Sequence, residues 1–130
     1  MPELSVILDH EFADSGLADL ALTHRSAVSR GSKTYERLEF LGDRVLSLVI
    51  ADMLYDAFPR EDEGALAKRL VDLVRGETLA EIAGDIGLAP HIRFSRGEED
   101  AGGRGNPAIL ADVCEALIGA IYRDGGLKIA

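Results

Sequence analysis

Carboxylates occur in this chain where a buried helix ordinarily carries none. In the stretch ERLEFLGDRVLSLVIADM, residues 36–53, the acids Glu36, Glu39 and Asp43 are spaced i, i+3 and i+7. At about 3.6 residues per turn, that spacing places all three within roughly 60° of one helix face. The run that follows is apolar on nearly every side, through Val45, Leu46, Leu48, Val49, Ile50, Ala51, Met53 and Leu54, which predicts a helix at the centre of a domain. The acidic stripe therefore leads into the core. A carboxylate without a partner there is costly or shifts its pKa until it is neutral, so a cation or a basic side chain must meet it.

Residues 108–122, AILADVCEALIGAIY, repeat the pattern: the run is apolar all round except for Asp112 and Glu115, again at i, i+3. If the two acidic faces meet, four carboxylates converge, and oxygen clusters of that kind bind hard divalent cations such as Mg²⁺ or Mn²⁺. The competing account pairs these acids with Arg37, Arg44, Lys68 or Arg69 as buried salt bridges. For two acid pairs on two buried helices, the cost of desolvating four charges favours the metal. A carboxylate-bridged di-iron bundle would need a Glu three residues before a His, and none of His10, His24 and His91 has one. Cys114 neighbours Glu115 but lies on a different face and reads as a small buried hydrophobe.

The elements that must position these acids can be followed along the chain. Leu4 to Ile7 and Leu17 to Leu22 read as short outer helices split by the turn-forming Asp14, Ser15 and Gly16. His24 reads as structural. Ser32 or Thr34 can cap the first acidic helix, which should stop near Ala57, because Phe58 precedes Pro59. Glu61 and Asp62 suit the start of a following helix, where the dipole favours negative charge. That helix presents Leu66, Leu70, Leu73 and Val74 on one face, with Lys68, Arg69 and Asp72 outside it. Thr78 to Ile86 forms another helix, and Gly87 suits its left-handed cap. Periodicity then disappears over residues 89–106, where Arg93, Arg96 and Arg104 stand among glycines and acids, which predicts a mobile surface loop able to face phosphates. Asn106 followed by Pro107 opens the second acidic helix as cap and first residue, and Gly125 with Gly126 ends it. No alternating strand pattern occurs, so the chain should be all-α.

The chain has 130 residues, 47% of them hydrophobic, with one cysteine, which fits one cytosolic domain with a real core and no disulfide framework. No stretch reaches the ~18 apolar residues of a membrane span, and the N-terminus lacks the basic start of a signal peptide. The net charge of −9 repels a nucleic acid on average, so phosphate binding would need bound metal or a separate binding domain.

Residues 36–43, ERLEFLGD, resemble the motif of the ribonuclease III family, and residues 109–112 with 115–122 resemble its second acidic helix. LTHRS at 22–26 and GETLA at 76–80 resemble further family segments in the expected order, so the likeness covers residues 16–126. It implies the all-α ribonuclease III endonuclease-domain fold over residues 1–130, without the family's C-terminal helix and double-stranded-RNA-binding domain. The implied activity is a Mg²⁺-dependent endonuclease, with Mn²⁺ as a substitute ion, acting in RNA processing. It would hydrolyse double-stranded RNA to 5′-phosphate and 3′-hydroxyl ends. Carried over residue by residue, the metal-binding acids are Glu39, Asp43, Asp112 and Glu115, with Asp43 and Glu115 central to catalysis. Glu36 and Glu63 are secondary acidic candidates, and Arg96 and Arg104 are candidate RNA contacts. The family's homodimer would use Phe40 against the partner. Arg44 departs from the pattern, standing where relatives often have a small residue. The alternative is a non-cleaving relative that binds RNA as a scaffold.

Overall fold

The computed structural model describes residues 3–29, Gly31 and 33–130, and its elements are helical, with no strand among the described residues. Helix α1 spans Leu4–Leu8 and α2 spans Ser15–Ala21. The predicted turn at Asp14 is the start of α2, where the Asp14 carboxylate accepts the Gly16 N–H at 2.9 Å and caps the helix. Asp124, near the chain's end, anchors this region: it accepts the backbone N–H groups of Ala13 and Asp14 at 3.0 and 2.9 Å and pairs with His10 Nε2 at 2.8 Å.

Helix α3 runs over Glu36–Ala57 and gives way at Phe58. Its start differs from expectation. Tyr35 occupies the cap position without a side-chain cap, and the Thr34 hydroxyl donates to the Glu36 carboxylate; Ser32 lies outside the described residues. Helix α4, Glu63–Val74, is capped by Asp62, which accepts the Ala65 N–H at 2.9 Å. Glu61 takes both nitrogens of the Arg69 fork at 2.7 Å, and the same guanidinium lies 3.7 Å from the Phe58 ring centre, which closes the α3–α4 corner. Helix α5 spans Gly76–Asp85, and Gly87, at φ +76°, carries the chain away in the left-handed conformation glycine tolerates.

Residues 89–106 are not the structureless loop that their lost periodicity predicts. They form short turns at Ala89–His91 and Gly103–Gly105 and a helix, α6, over Arg96–Asp100 capped by Ser95. Arg104 holds the segment together. Its guanidinium donates to both Glu99 oxygens, at 2.7 and 2.6 Å, and to the carbonyls of Ala89 and Ile92 at 2.5 and 2.9 Å. A parallel bridge between Thr23 and Arg93 ties the segment to the LTHRS turn. There His24 is buried, and its Nδ1 accepts the Ser26 N–H at 3.1 Å, while Ser26 Oγ accepts the Ser95 N–H at 3.0 Å.

The last helix, α7, Pro107–Gly125, begins as its sequence predicts, with Asn106 accepting the Ala108 N–H at 2.9 Å and Pro107 in the first turn. It is α7, rather than α3, that forms the centre of the domain. Ala111, Val113, Cys114, Ala116, Leu117, Ala120 and Ile121 are all buried along it, and α2, α3 and α5 pack around it. On α3 only Leu38, Gly42, Val45 and Leu54 are buried. Leu48 and Met53 are 56% and 59% exposed. Leu73, expected on the covered face of α4, is exposed as well.

Two glycines set the distance between α3 and α7. A methyl group on Gly42 would lie 1.7 Å from the Glu115 carbonyl oxygen, and one on Gly119 would lie 2.3 Å from the Leu38 carbonyl oxygen. Both obstacles are backbone, which no rotamer change can move. Gly42→Ala or Gly119→Ala should therefore cost about 2 kcal/mol or more, outweighing the gain of about 1 kcal/mol that alanine brings to a helix interior. Gly84→Ala on α5 meets nothing within 4 Å and should be neutral or stabilising by up to about 1 kcal/mol. Urea melts of the three variants check this, and a tolerated Gly42→Ala would refute the close-contact account.

Candidate metal centre

The crossing of α3 on α7 brings the two acidic stripes face to face. One carboxylate oxygen from each of Glu39, Asp112 and Glu115 lies within 4.8 Å of the other two. Oxygens about 2.1 Å from a hard cation are at most about 4.2 Å apart, so small side-chain rotations would close the three on one ion. All three are half-buried. Among the described residues, none of them makes an ion pair with Lys or Arg, so the salt-bridge account finds no partner for this group. The donors are carboxylate oxygens alone, the set that suits Mg²⁺ or Mn²⁺.

Electrostatics follow from that geometry. Glu39 is pushed up to about 7, first by burial and then by the Asp112 carboxylate beside it. Glu115 is pushed up to about 8, again mainly by burial, with Asp43, Glu39 and Asp112 adding repulsion. Burial also raises Asp112, while Arg25 offsets part of the effect. Tyr35, at the cap of α3, is buried, and its phenol is raised by burial and by the field of Asp112, Glu39 and Glu36, so it stays neutral. Tyr35, Gly42 and Gly119 belong to the site's surroundings without any sign of it in their spacing along the chain. Acids recur at helical spacing and can be recognised locally, whereas these three matter through a helix crossing.

The remaining candidates sit differently. Asp43 reaches Glu115 and lines a cavity of about 530 Å³ with Glu36, Glu39, Phe40, Arg44 and Glu115, but it is not among the three gathered oxygens. Its carboxylate accepts a hydrogen bond from Arg44 Nη1 at 2.8 Å. Glu36 borders the same cavity. Glu63 is exposed in the first turn of α4 and does not line this cavity. Arg96 is exposed at the start of α6, while Arg104 is committed to bonds within its own segment.

Comparison with known proteins gives the setting. The family described as Ribonuclease-III-like matches residues 14–130. The chain belongs to the ribonuclease III family. It is 50% identical over 130 residues to Ribonuclease 3 of Azorhizobium caulinodans, covering 98% of this chain and 55% of that protein. With Ribonuclease 3 of Vibrio vulnificus it shares 49% identity, over 94% of this chain and 53% of the relative. The chain thus spans about half the length of the curated relatives it matches. The nuclease domain of ribonuclease III from Campylobacter jejuni superposes with a TM-score of 0.91 at 42% identity, covering 96% of this chain and 86% of that one. Dicer from Pichia stipitis superposes at 0.67 with 29% identity over 91% of this chain and 49% of its own. The all-α ribonuclease III fold expected from the sequence is the observed one.

The raised carboxyls carry a pH signature. Glu39 and Glu115, at about 7 and about 8, hold protons in the folded chain at pH values where the unfolded chain, near the ordinary 4.5, has released them. Their contribution to stability is full below about pH 4.5 and is lost as pH rises through about 8. In EDTA the melting temperature should fall over that range, and Glu115→Gln should flatten the fall. Thermal melts of both proteins in steps from about pH 5 to about pH 8.5 measure it; parallel profiles would contradict the assignment.

Proposed function

We propose that this chain is the nuclease portion of a divalent-metal-dependent endoribonuclease that cleaves double-stranded RNA. The observation that carries the reading is the convergence of Glu39, Asp112 and Glu115, with no Lys or Arg ion pair to them among the described residues, in a chain about half identical to proteins named Ribonuclease 3. Mg²⁺, or Mn²⁺ in its place, would be held by these three carboxylates, with Asp43 joining from the cavity wall. When bound, such an ion activates water as nucleophile and offsets charge on the phosphate oxygens during in-line displacement. The chain's residues supply the rest. Glu39 and Glu115 must lose their protons to bind, burial on α7 fixes the direction of Asp112 and Glu115, and the open cavity leaves room for a phosphodiester. Attack by water on phosphorus, with the P–O3′ bond breaking and the 3′-oxygen leaving, would give 5′-phosphate and 3′-hydroxyl ends.

Two further parts complete the proposal. With a charge of −9, the chain holds a duplex weakly by itself. In a protein of its relatives' length, a double-stranded-RNA-binding domain outside this chain would supply the affinity, with Arg96 as a minor contact here. The setting would be the cytoplasm; no helix among the described residues is long and apolar enough to cross a membrane. The second part is pairing with another copy. Phe40 is 62% exposed, and beside it a cavity of about 1080 Å³ has apolar walls including Leu17, Leu20, Leu38 and Leu41. An exposed aromatic next to a cavity walled partly by leucines and partly by Glu36, Arg37 and Arg123 suits a reciprocal two-fold contact. The solved Campylobacter nuclease domain is described as having a flexible region involved in dimer formation.

Glu115→Gln tests the metal. Cleavage of duplex RNA in Mg²⁺ should fall by orders of magnitude, while the melting temperature in EDTA stays level or rises, because one member of a repelling cluster has been neutralised. Mg²⁺ should raise the wild-type melting temperature more than the variant's. A loss of about 3–5 kcal/mol in EDTA would instead reveal a broken buried salt bridge, and duplex binding without cleavage by the wild type would favour a scaffold. For pairing, sedimentation at micromolar concentration should show a dimer, and Phe40→Ala should weaken it by about tenfold or more. A wild-type monomer under those conditions defeats that part.

A further inference from the structure

Arg44 stands where the metal reading would want no cation. Its Nη1 donates to Asp43 Oδ2 at 2.8 Å, and its guanidinium carbon lies 4.0 Å from the centre of the Phe40 ring. Phe40 and Arg44 are four residues apart on α3, so they share a face, and the ring gives the planar guanidinium a surface on which to rest. Among the described residues lining the acidic cavity, Arg44 is the one basic side chain. Asp43, the residue it holds, lines that cavity and reaches Glu115, yet it does not stand among the three oxygens gathered within 4.8 Å.

We propose that Arg44 is a resident counter-cation that yields Asp43 to the divalent ion and then binds a phosphate of the RNA backbone at the cavity mouth. The inference rests on the metal and duplex-RNA reading above and adds a residue to it. Both members of the pair are substantially exposed, with side chains 60% and 46% accessible, and exposed pairs are weak. A dication held by the neighbouring carboxylates can therefore displace the guanidinium from Asp43. Once displaced, Arg44 remains at the mouth, because its stem is fixed by α3 and its plane by Phe40. A free guanidinium fork beside a metal-bound phosphodiester matches phosphate oxygens two at a time, which an ammonium does not.

The two halves have opposite signs, and a purely structural role would produce neither. Isothermal titration with Mn²⁺ alone should show Arg44→Ala binding the ion about three- to tenfold more tightly than wild type, since a competing charge beside Asp43 is gone. Duplex RNA binding, followed by fluorescence anisotropy at low salt with Ca²⁺ replacing Mg²⁺ to suppress turnover, should be about three- to tenfold weaker, with the salt dependence reduced by about one phosphate contact. Arg44→Lys should keep Mn²⁺ affinity near the wild-type value and recover only part of the duplex affinity. Unchanged or weaker Mn²⁺ binding by Arg44→Ala overturns the counter-cation role, and unchanged duplex binding overturns the phosphate role. A wild-type chain that binds no Mn²⁺ at millimolar concentration overturns the metal reading itself, and the role of Arg44 with it.

Discussion

The contact on which the rest of the structure depends is the crossing of α3 and α7 at Gly42 and Gly119, where backbone meets backbone. Because neither residue has a side chain, carbonyls of one helix approach the other within distances that a single methyl group would forbid. Glu39 and Asp43 flank Gly42 on α3, and Glu115 lies one turn before Gly119 on α7. The approach that packs the helices therefore also forces the acids together. Apolar burial along α7, by Val113 and Leu117 among others, supplies about 2 kcal/mol per side chain to hold the crossing.

Packing here works against charge. Three carboxylates half withdrawn from water repel one another, and the chain answers by raising Glu39 and Glu115 into the neutral range. Such a cluster is at rest only when protons or a cation occupy it. That tension would suit the proposed metal-dependent hydrolase, since an ion bound there would release the charge repulsion of the free protein. Among the described residues no Lys or Arg forms an ion pair with the three gathered acids; one inside the group would offset the repulsion permanently and compete with an ion. Arg44 stands at the edge instead, paired with the exposed carboxylate of Asp43.

The exposed side of α3 belongs to the same logic. Phe40, Leu48, Met53 and Tyr55 on α3 and Val71 and Leu73 on α4 are left open to solvent. Phe40 borders both the acidic cavity and the larger one beside it. Ligand binding and pairing of two copies would thus act through adjacent residues of one helix.

Much of this was legible in the linear chain because it follows from local geometry. A helix of about 3.6 residues per turn makes i, i+3 and i+7 acids share a face wherever the helix lies, so the two acidic stripes could be recognised before anything was known of packing. The Asn106 and Pro107 start of α7, the stop of α3 before Pro59 and the left-handed Gly87 were readable for the same reason, since each depends on the conformational limits of one or two residues. What the chain alone did not reveal were relations between distant segments. An all-round apolar run signals burial without saying what buries it, and so α3 was expected at the centre, which α7 occupies instead. Residues 89–106 have no period because their order comes from the Arg104 guanidinium and from the bridge to Thr23. Which three acids gather, and that Asp43 turns to Arg44, was decided where two helices meet at glycines far apart in sequence; helical periodicity fixes the face a side chain shares, while only packing sets the distance between faces.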